Sequence, residues 1–526
     1  MTLATTLRDT VRRHGAKAAF ATVGKDARSF TYDQAYAKIA RVAGALRAKG
    51  LVRGDRVAVI ADNAIEVAFL DWACYATGLV VVAIYPTLPA EGTQYIVKDS
   101  GAKLVVVDSE KQAAKVGESV LLTDLDAEPI DLDAEPEGSP DDPCAIIYTS
   151  GTTGVPKGAV MRHGGFVAVA VGAGREIHLS ADDVFLSFLP MCHVYERVAG
   201  QVLPVYLGAT IVFSKGLAHL QTEMREARPT IMLCIPRFLE SLRERILDRV
   251  SKDKPIKQWL FNQMLAQGGK KAKGEFAPFA GLFDSIVAKK VREAAGGRLR
   301  CFVSGGAALA PAVGEFYMAT GLTVLQGYGL TETSGGSVVN RPENNKFWTV
   351  GEPLECEVKL AEDGEILIRG PGVMIGYHNL PEETAQAIDK DGWFHTGDIG
   401  EFEGKNLKIT DRKKDIIVLG NGKNVAPQKI ENLLRTSPLI QEVVVLGDGM
   451  DACIALVVPA EGVEEKAIKQ AIDSFKSQLA PYEAIKRFAL VTEPFSQENG
   501  LLTPTLKVKR KAVAERYKEV IAGLTK

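Results

Sequence analysis

Over the first 150 residues, short β-branched runs alternate with helical patterns: RVAVIA (56–61), LVVVAIY (79–85) and KLVVVD (103–108), each bounded by glycine, proline or charge. Between the last two, AEGTQYIVKDSGA reads as a helix closed by Gly101. Strands interleaved with helices predict a layered α/β fold with a largely parallel sheet, and the pattern resumes from ATIVFS (209–214) to RCFVSGG (300–306). From Gly351 the texture changes to short strands with turns, such as CEVKLAEDGEILIRG, and a second break falls at ITDRKKDII (409–417). Beyond it NVAPQKIENLLRT and EEKAIKQAIDSFKSQL predict helices, while EVVVLGD, CIALVVPA and KRFALVTEP predict strands. The expected fold is α/β, with a large multi-sheet N-terminal domain and a small α+β C-terminal domain.

The longest near-continuous apolar run, WACYATGLVVVAIY (72–85), is interrupted by Thr77 and Gly78. It falls short of the roughly 20 residues that span a bilayer, and reads as the end of a buried helix followed by a buried strand. The start, MTLATTLRDTVRRHG, lacks the apolar core of a signal peptide. With 46% hydrophobic residues the 526-residue chain can bury a sizeable core. Its 63 basic and 65 acidic side chains give no global pull toward nucleic acid. Seven scattered cysteines without a CxxC pair fit a reduced compartment, not a disulfide framework or a zinc site. The sequence therefore predicts a soluble, cytoplasmic protein. GGKKAKGE (268–275) reads as an exposed loop.

YTSGTTGVPKG (148–158) follows the apolar run AII. Successive backbone N–H groups in a Gly/Ser/Thr loop form a nest for anions, and a lysine adds a mobile positive charge; the alternative is a polar hairpin turn. It is not a Walker A loop, which requires GxxxxGK[ST] leading into a helix. Here Pro156 stands at the last glycine position, Gly158 follows Lys157, and GAVMRH continues as a strand, so the loop joins strand to strand. In QGYGLTET (326–333), Tyr328 between glycines offers a plane for a purine, and Glu332 a hard oxygen ligand for Mg²⁺; a glycine turn with a packed tyrosine accounts for it equally. Asp398 in GWFHTGDIG offers a carboxylate for two ribose hydroxyls, or is an Asp in a turn. KVKRK (507–511) taken alone is a solvated basic run.

These motifs, in this order, resemble the adenylate-forming (AMP-binding) superfamily, and LPMCHVYERV (189–198) with LTPTLKVKRKAV (502–513) is similar to its long-chain fatty acyl-CoA synthetase branch. PTIMLCIPRFLE and GYHNLPEETAQAIDKDGWFHTGD match the same branch, and the likeness covers roughly residues 31–513. The resemblance implies that Thr149, Ser150, Gly151, Thr152, Thr153, Gly154 and Lys157 hold the phosphates of ATP. It further implies that Thr152 and Glu332 hold magnesium, that Tyr328, Gly306 and Ala307 flank the adenine, and that Gly327, Gly329 and Thr331 bind ATP or AMP. By the same resemblance Asp398 is expected to take the ribose, Arg412 to contact the ribose or a phosphate, His193 to sit beside the acyl carboxylate and the entering thiol, and Lys507 to enter the site from the small domain. Lys414 occupies the family's hinge, which divides the chain into residues 1–413 and a mobile domain of residues 414–526.

The activity so implied uses ATP, Mg²⁺ and coenzyme A. A fatty acid displaces pyrophosphate to give an acyl adenylate, and the thiol then displaces AMP to give a thioester. Neither half needs a protein nucleophile, so positioning and electrostatics carry the catalysis. Two other readings stand beside it: loading of an acyl carrier protein, and a non-catalytic nucleotide or acyl binder, which would not require Lys507. Nucleic acid is not an expected partner, while a peripheral membrane contact and a homodimer are left open.

Overall fold

The computed structural model describes every residue except 150–154, 273–274, 497–498, 503–507 and 526. The chain divides into two compact units. One comprises Met1–Lys359, Leu367–His395 and Glu403–Leu407, and the other Leu360–Ile366, Thr396–Phe402 and Lys408–Lys526.

Two large sheets build the first unit. One has seven strands in the order Gly376–Tyr377, Lys157–Arg162, Pro143–Thr149, Val80–Ile84, Arg56–Ile60, Leu104–Val107 and Val120–Leu121. Its last five strands run parallel, and the first two are antiparallel additions. Every residue of Val80–Ile84 is buried, as a strand covered by helices on both faces demands, which is why VVVAI shows no alternation. The run 72–85 is split as expected: the buried helix Ile65–Thr77 ends at Gly78 and the strand begins at Val80. The second sheet has nine strands with a parallel centre, in which Thr323–Tyr328, Cys301–Ser304 and Ile231–Cys234 are neighbours. A separate four-stranded sheet orders Glu357–Leu360, Glu365–Arg369, Phe394–Glu403 and Asn406–Arg412; of these strands, residues within Leu360–Ile366 and Thr396–Phe402 and those from Lys408 on count with the second unit.

The second unit is built on Ile440–Leu446, Ile454–Pro459 and Arg487–Leu490, antiparallel then parallel. Its strand residues alternate between two cores: Val443 and Val445 pack in one cluster, Val444 and Leu446 in the other. That is the period-2 consequence of a pleated strand buried on both faces. The expected helices are present but shorter, Pro427–Leu434 and Glu465–Ser474. Among the described residues no helix is long and apolar enough to cross a membrane.

Candidate active site

The hairpin Pro143–Thr149/Lys157–Arg162 pairs Thr149 with Lys157, so the glycine- and threonine-rich loop bridges adjacent antiparallel strands. Ser150, Gly151, Thr152, Thr153 and Gly154 lie outside the described residues, as does Lys507. Lys157 is half-buried, and its Nζ stands 5.3 Å from the ring centroid of Tyr377. Tyr377 belongs to the two-residue edge strand that pairs with the lysine's own strand, opposite Ala159. Its hydroxyl donates to Glu332 Oε1 at 2.8 Å, a charge-assisted bond of the strong kind. Burial, then the Glu332 carboxylate, push the phenol far above its usual range, so it stays a donor. Tyr377 thus holds together two residues singled out in the sequence, and was itself assigned no role there.

Glu332 sits in the short 3-10 turn Thr331–Thr333, which follows the strand carrying Gly327 and Tyr328. Tyr328 is buried. Gly329 has no alternative: a Cβ there would stand 2.5 Å from the backbone nitrogen of Gly336. The segment Gly305–Leu309 leaves the carboxyl end of the neighbouring parallel strand, Cys301–Ser304, and turns at Gly306 with φ +82°, a left-handed conformation that favours glycine. Gly306 and Ala307 are exposed there. Loops beyond the carboxyl ends of adjacent parallel strands are where open α/β sheets bind ligands. Buried Gln326 ties the two loops together: its Oε1 accepts from Leu309 N at 2.9 Å, and its Nε2 donates to the carbonyl of Phe347.

The LPMCHVYERV segment packs on the same loops. Tyr195 donates its hydroxyl to the Val303 carbonyl at 2.8 Å. A Cβ on Gly305 would touch the Tyr195 ring at 3.2 Å, and one on Gly335 its Cα at 3.2 Å. His193 Nδ1 accepts the Tyr195 backbone N–H at 3.1 Å, which leaves the proton of the neutral imidazole on Nε2. Asn63 clamps the segment through Leu189 O at 2.6 Å and Met191 N at 2.8 Å. The next residues serve the interior instead. Arg197 and Asp71 form a fully buried ion pair at 2.7 Å, to which Tyr75 adds its hydroxyl at 2.8 Å from Arg197.

Glu196 is buried where Glu196–Val202 winds as a π-helix, and Ser187 donates to its Oε1 at 2.6 Å. Burial raises its pKa to about 7 from 4.5. The unfolded chain releases this proton at lower pH than the fold does, so the cost of the site grows as pH rises between about 4.5 and 7, then levels off. Glu196→Gln, which cannot ionise, is therefore expected to gain stability over the natural chain as pH rises through that window, on the order of 2–3 kcal/mol in all. Denaturant unfolding at the two ends of the window measures it; a constant difference would show that Glu196 ionises normally.

In the second unit, Asp398 is 4% exposed and accepts Arg412 Nε at 2.7 Å. The turn is fixed around it: Gly397 N donates to Glu365 Oε1 at 2.9 Å, and Lys413 N to Gly397 O at 2.8 Å. Lys413 is ion-paired with Asp363 at 2.6 Å and Glu365 at 2.9 Å, while Lys414 is exposed in the turn that follows Arg412. Asp411, buried beside Arg510 and Glu431, is raised to about 6 by burial.

Comparison with known proteins shows the family. The AMP-binding enzyme family matches residues 7–378, and the AMP-binding enzyme C-terminal domain matches residues 414–526. The chain belongs to the AMP-binding enzymes. It is 32% identical to fatty acyl-CoA synthetase A of Dictyostelium discoideum over 95% of this chain and 86% of that one. It is 33% identical to the long-chain-fatty-acid–CoA ligase FadD15 of Mycobacterium bovis over 90% and 88%. ATP-bound MatB from Rhodopseudomonas palustris superposes with a TM-score of 0.78 at 26% identity, covering 99% of this chain and 100% of that one. A fatty acyl-CoA synthetase of Mycobacterium tuberculosis superposes with a TM-score of 0.68 at 26% identity, covering 99% of each.

Proposed function

We propose that the protein is an AMP-forming fatty acid–CoA ligase. The observation that carries this reading is the bridge at Tyr377. It sets a lysine of the glycine-rich hairpin and a carboxylate of the QGYGLTET turn on one tyrosine, the pair of charges that a metal-bound triphosphate needs. The 30–33% identity to curated fatty acid ligases over most of their length supports the substrate class.

In the first half-reaction, Lys157 and the loop 149–154 hold the outer phosphates of ATP. Mg²⁺ held there would neutralise charge on the phosphates. Glu332 fits it as a hard oxygen donor whose Oε1 is pinned by Tyr377, with Thr152 as the second protein ligand. Tyr328, Gly306 and Ala307 flank the adenine with Gly327, Gly329 and Thr331, and Asp398 and Arg412 take the ribose. The fatty carboxylate attacks the α-phosphate and pyrophosphate leaves; Lys507 stabilises the charge that builds in that transition state. In the second, the CoA thiol attacks the acyl carbon beside His193 and AMP leaves. Between the halves the domain of residues 414–526 turns about Lys414.

AMP release from ATP and Mg²⁺ tests this with acids of increasing chain length, with and without CoA. CoA-dependent turnover peaking at one chain length is expected. Acyl adenylate that CoA does not discharge would move the acceptor to a carrier protein, and no acid-dependent adenylate at all would sink the reading. The pivot has its own test. Lys414→Pro fixes φ at one value, and is expected to preserve one half-reaction while slowing the other on the order of a hundredfold, by analogy with misplacement of a positioned group. Equal loss of both, assayed separately, would remove Lys414 as the pivot.

A further inference from the structure

We propose that the helical segment from Pro255 to Ala294 is a docking surface for an anionic lipid bilayer. It comprises the helices Pro255–Ala272, Ala280–Phe283 and Lys289–Ala294, with the π-helical turn Asp284–Ala288 between the last two. Its inner side is ordinary core, in which Phe261, Met264, Phe283 and Ala288 are buried. Its outer side is not an ordinary surface. Ile256 is 60% exposed, Trp259 52%, Phe276 85%, Phe279 58%, Leu282 56% and Ile286 38%. Six of the seventeen exposed large hydrophobics among the described residues therefore fall within one short stretch of chain. Ile256 and Trp259 are three residues apart on one helix and so share a face, while Leu282 ends the helix Ala280–Phe283 and Ile286 lies in the π-helical turn that continues it. The Trp259 ring lies 6.3 Å from that of buried Phe283, so the two helices pack on one another. Clustered apolar side chains of this kind mark an interaction site.

Charge identifies the partner. Between residues 251 and 290 there are eight lysines against three acidic residues, in a chain whose formal net charge is −2. Lys252 and Lys257 are paired with Asp248 and Asp253, while Lys254, Lys270, Lys271, Lys289 and Lys290 are exposed. Exposed Trp and Phe interspersed along the chain with exposed lysines suit the headgroup boundary of an anionic membrane, where apolar burial and attraction add. A second copy of the chain is the poorer occupant, since a face-to-face dimer would bring this excess of positive charge against itself. The purpose of the surface rests on the fatty-acid reading, because long-chain acids partition into bilayers; the surface itself does not.

Sedimentation of the full chain with vesicles tests this, using phosphatidylcholine alone and a phosphatidylcholine–phosphatidylglycerol mixture. Binding is expected to the mixture and to fall at least tenfold in Lys270→Glu/Lys271→Glu, given the attraction of about 1 kcal/mol per surface lysine. Phe276→Ser/Phe279→Ser is expected to lose binding too, and both variants to keep natural CoA ligation of a short, water-soluble fatty acid. Failure of the natural chain to sediment with anionic vesicles, or equal binding by the variants, overturns the proposal. A natural dimer that the Phe variant dissociates, without vesicle binding, also overturns it and assigns the face to self-association. Vesicle binding without ligation would instead overturn the proposed activity and leave the surface standing.

Discussion

Replacement of Lys507 by alanine is expected to lower acyl-adenylate formation on the order of 10²–10³-fold, the scale on which one preorganised charge acts on a developing anion. Attack of the carboxylate on the α-phosphate gathers negative charge on phosphorus and on the departing pyrophosphate. A cation held against that charge stabilises the transition state more than bound ATP, so the loss falls on kcat and not on the affinity for ATP. The second half-reaction builds no charge on phosphate oxygens that needs this lysine. Thioester formation from supplied acyl adenylate is therefore expected to stay near the natural rate. Pyrophosphate exchange measures the first half, and CoA-dependent AMP release from synthetic adenylate the second. Equal loss in both would deprive Lys507 of its role, and an unchanged exchange rate would point to another cation.

Much of the fold was readable locally. A strand-to-strand connection was legible because Pro156 stands where a Walker loop has its last glycine and Gly158 where it has Ser or Thr; the pairing of Thr149 with Lys157 is the outcome. VVVAI gave its burial on both faces by the absence of alternation. Other features have no local signature. Tyr377 reaches Lys157 and Glu332 only because a two-residue edge strand returns beside the hairpin from far along the chain, and so short a strand carries no periodicity. ERVAGQV reads as an ordinary helix, and nothing in its spacing announces the wider π winding ahead of Pro204. The segments Leu360–Ile366 and Thr396–Phe402 group with the C-terminal unit, whereas their short strands and turns say nothing about which unit they join. The buried Asp71–Arg197 pair likewise needs the fold to bring helix Ile65–Thr77 against the LPMCHVYERV segment.

The second large effect concerns Glu332 and its tyrosine. Glu332→Gln is expected to raise the Mg²⁺ concentration for half-maximal adenylation on the order of a hundredfold, because an amide oxygen replaces an anionic ligand. Tyr377→Phe keeps the ring beneath Lys157 and removes only the donor to Glu332 Oε1. Partners that orient a metal ligand are worth roughly 10–100-fold in affinity, so this variant is expected near the lower end of that range. If the hydroxyl acts through Glu332, the double variant is no worse than Glu332→Gln alone, since the bond is already spoiled; independent action would make the two effects multiply. Tyr377→Leu removes the ring as well, and is expected to weaken ATP binding further at saturating Mg²⁺ by freeing Lys157 from its platform. Calorimetric titration of ATP at several Mg²⁺ concentrations, without fatty acid, separates these effects from turnover. An unshifted Mg²⁺ dependence in Glu332→Gln would remove Glu332 from the metal. A shift there with none in Tyr377→Phe would leave the tyrosine a packing residue.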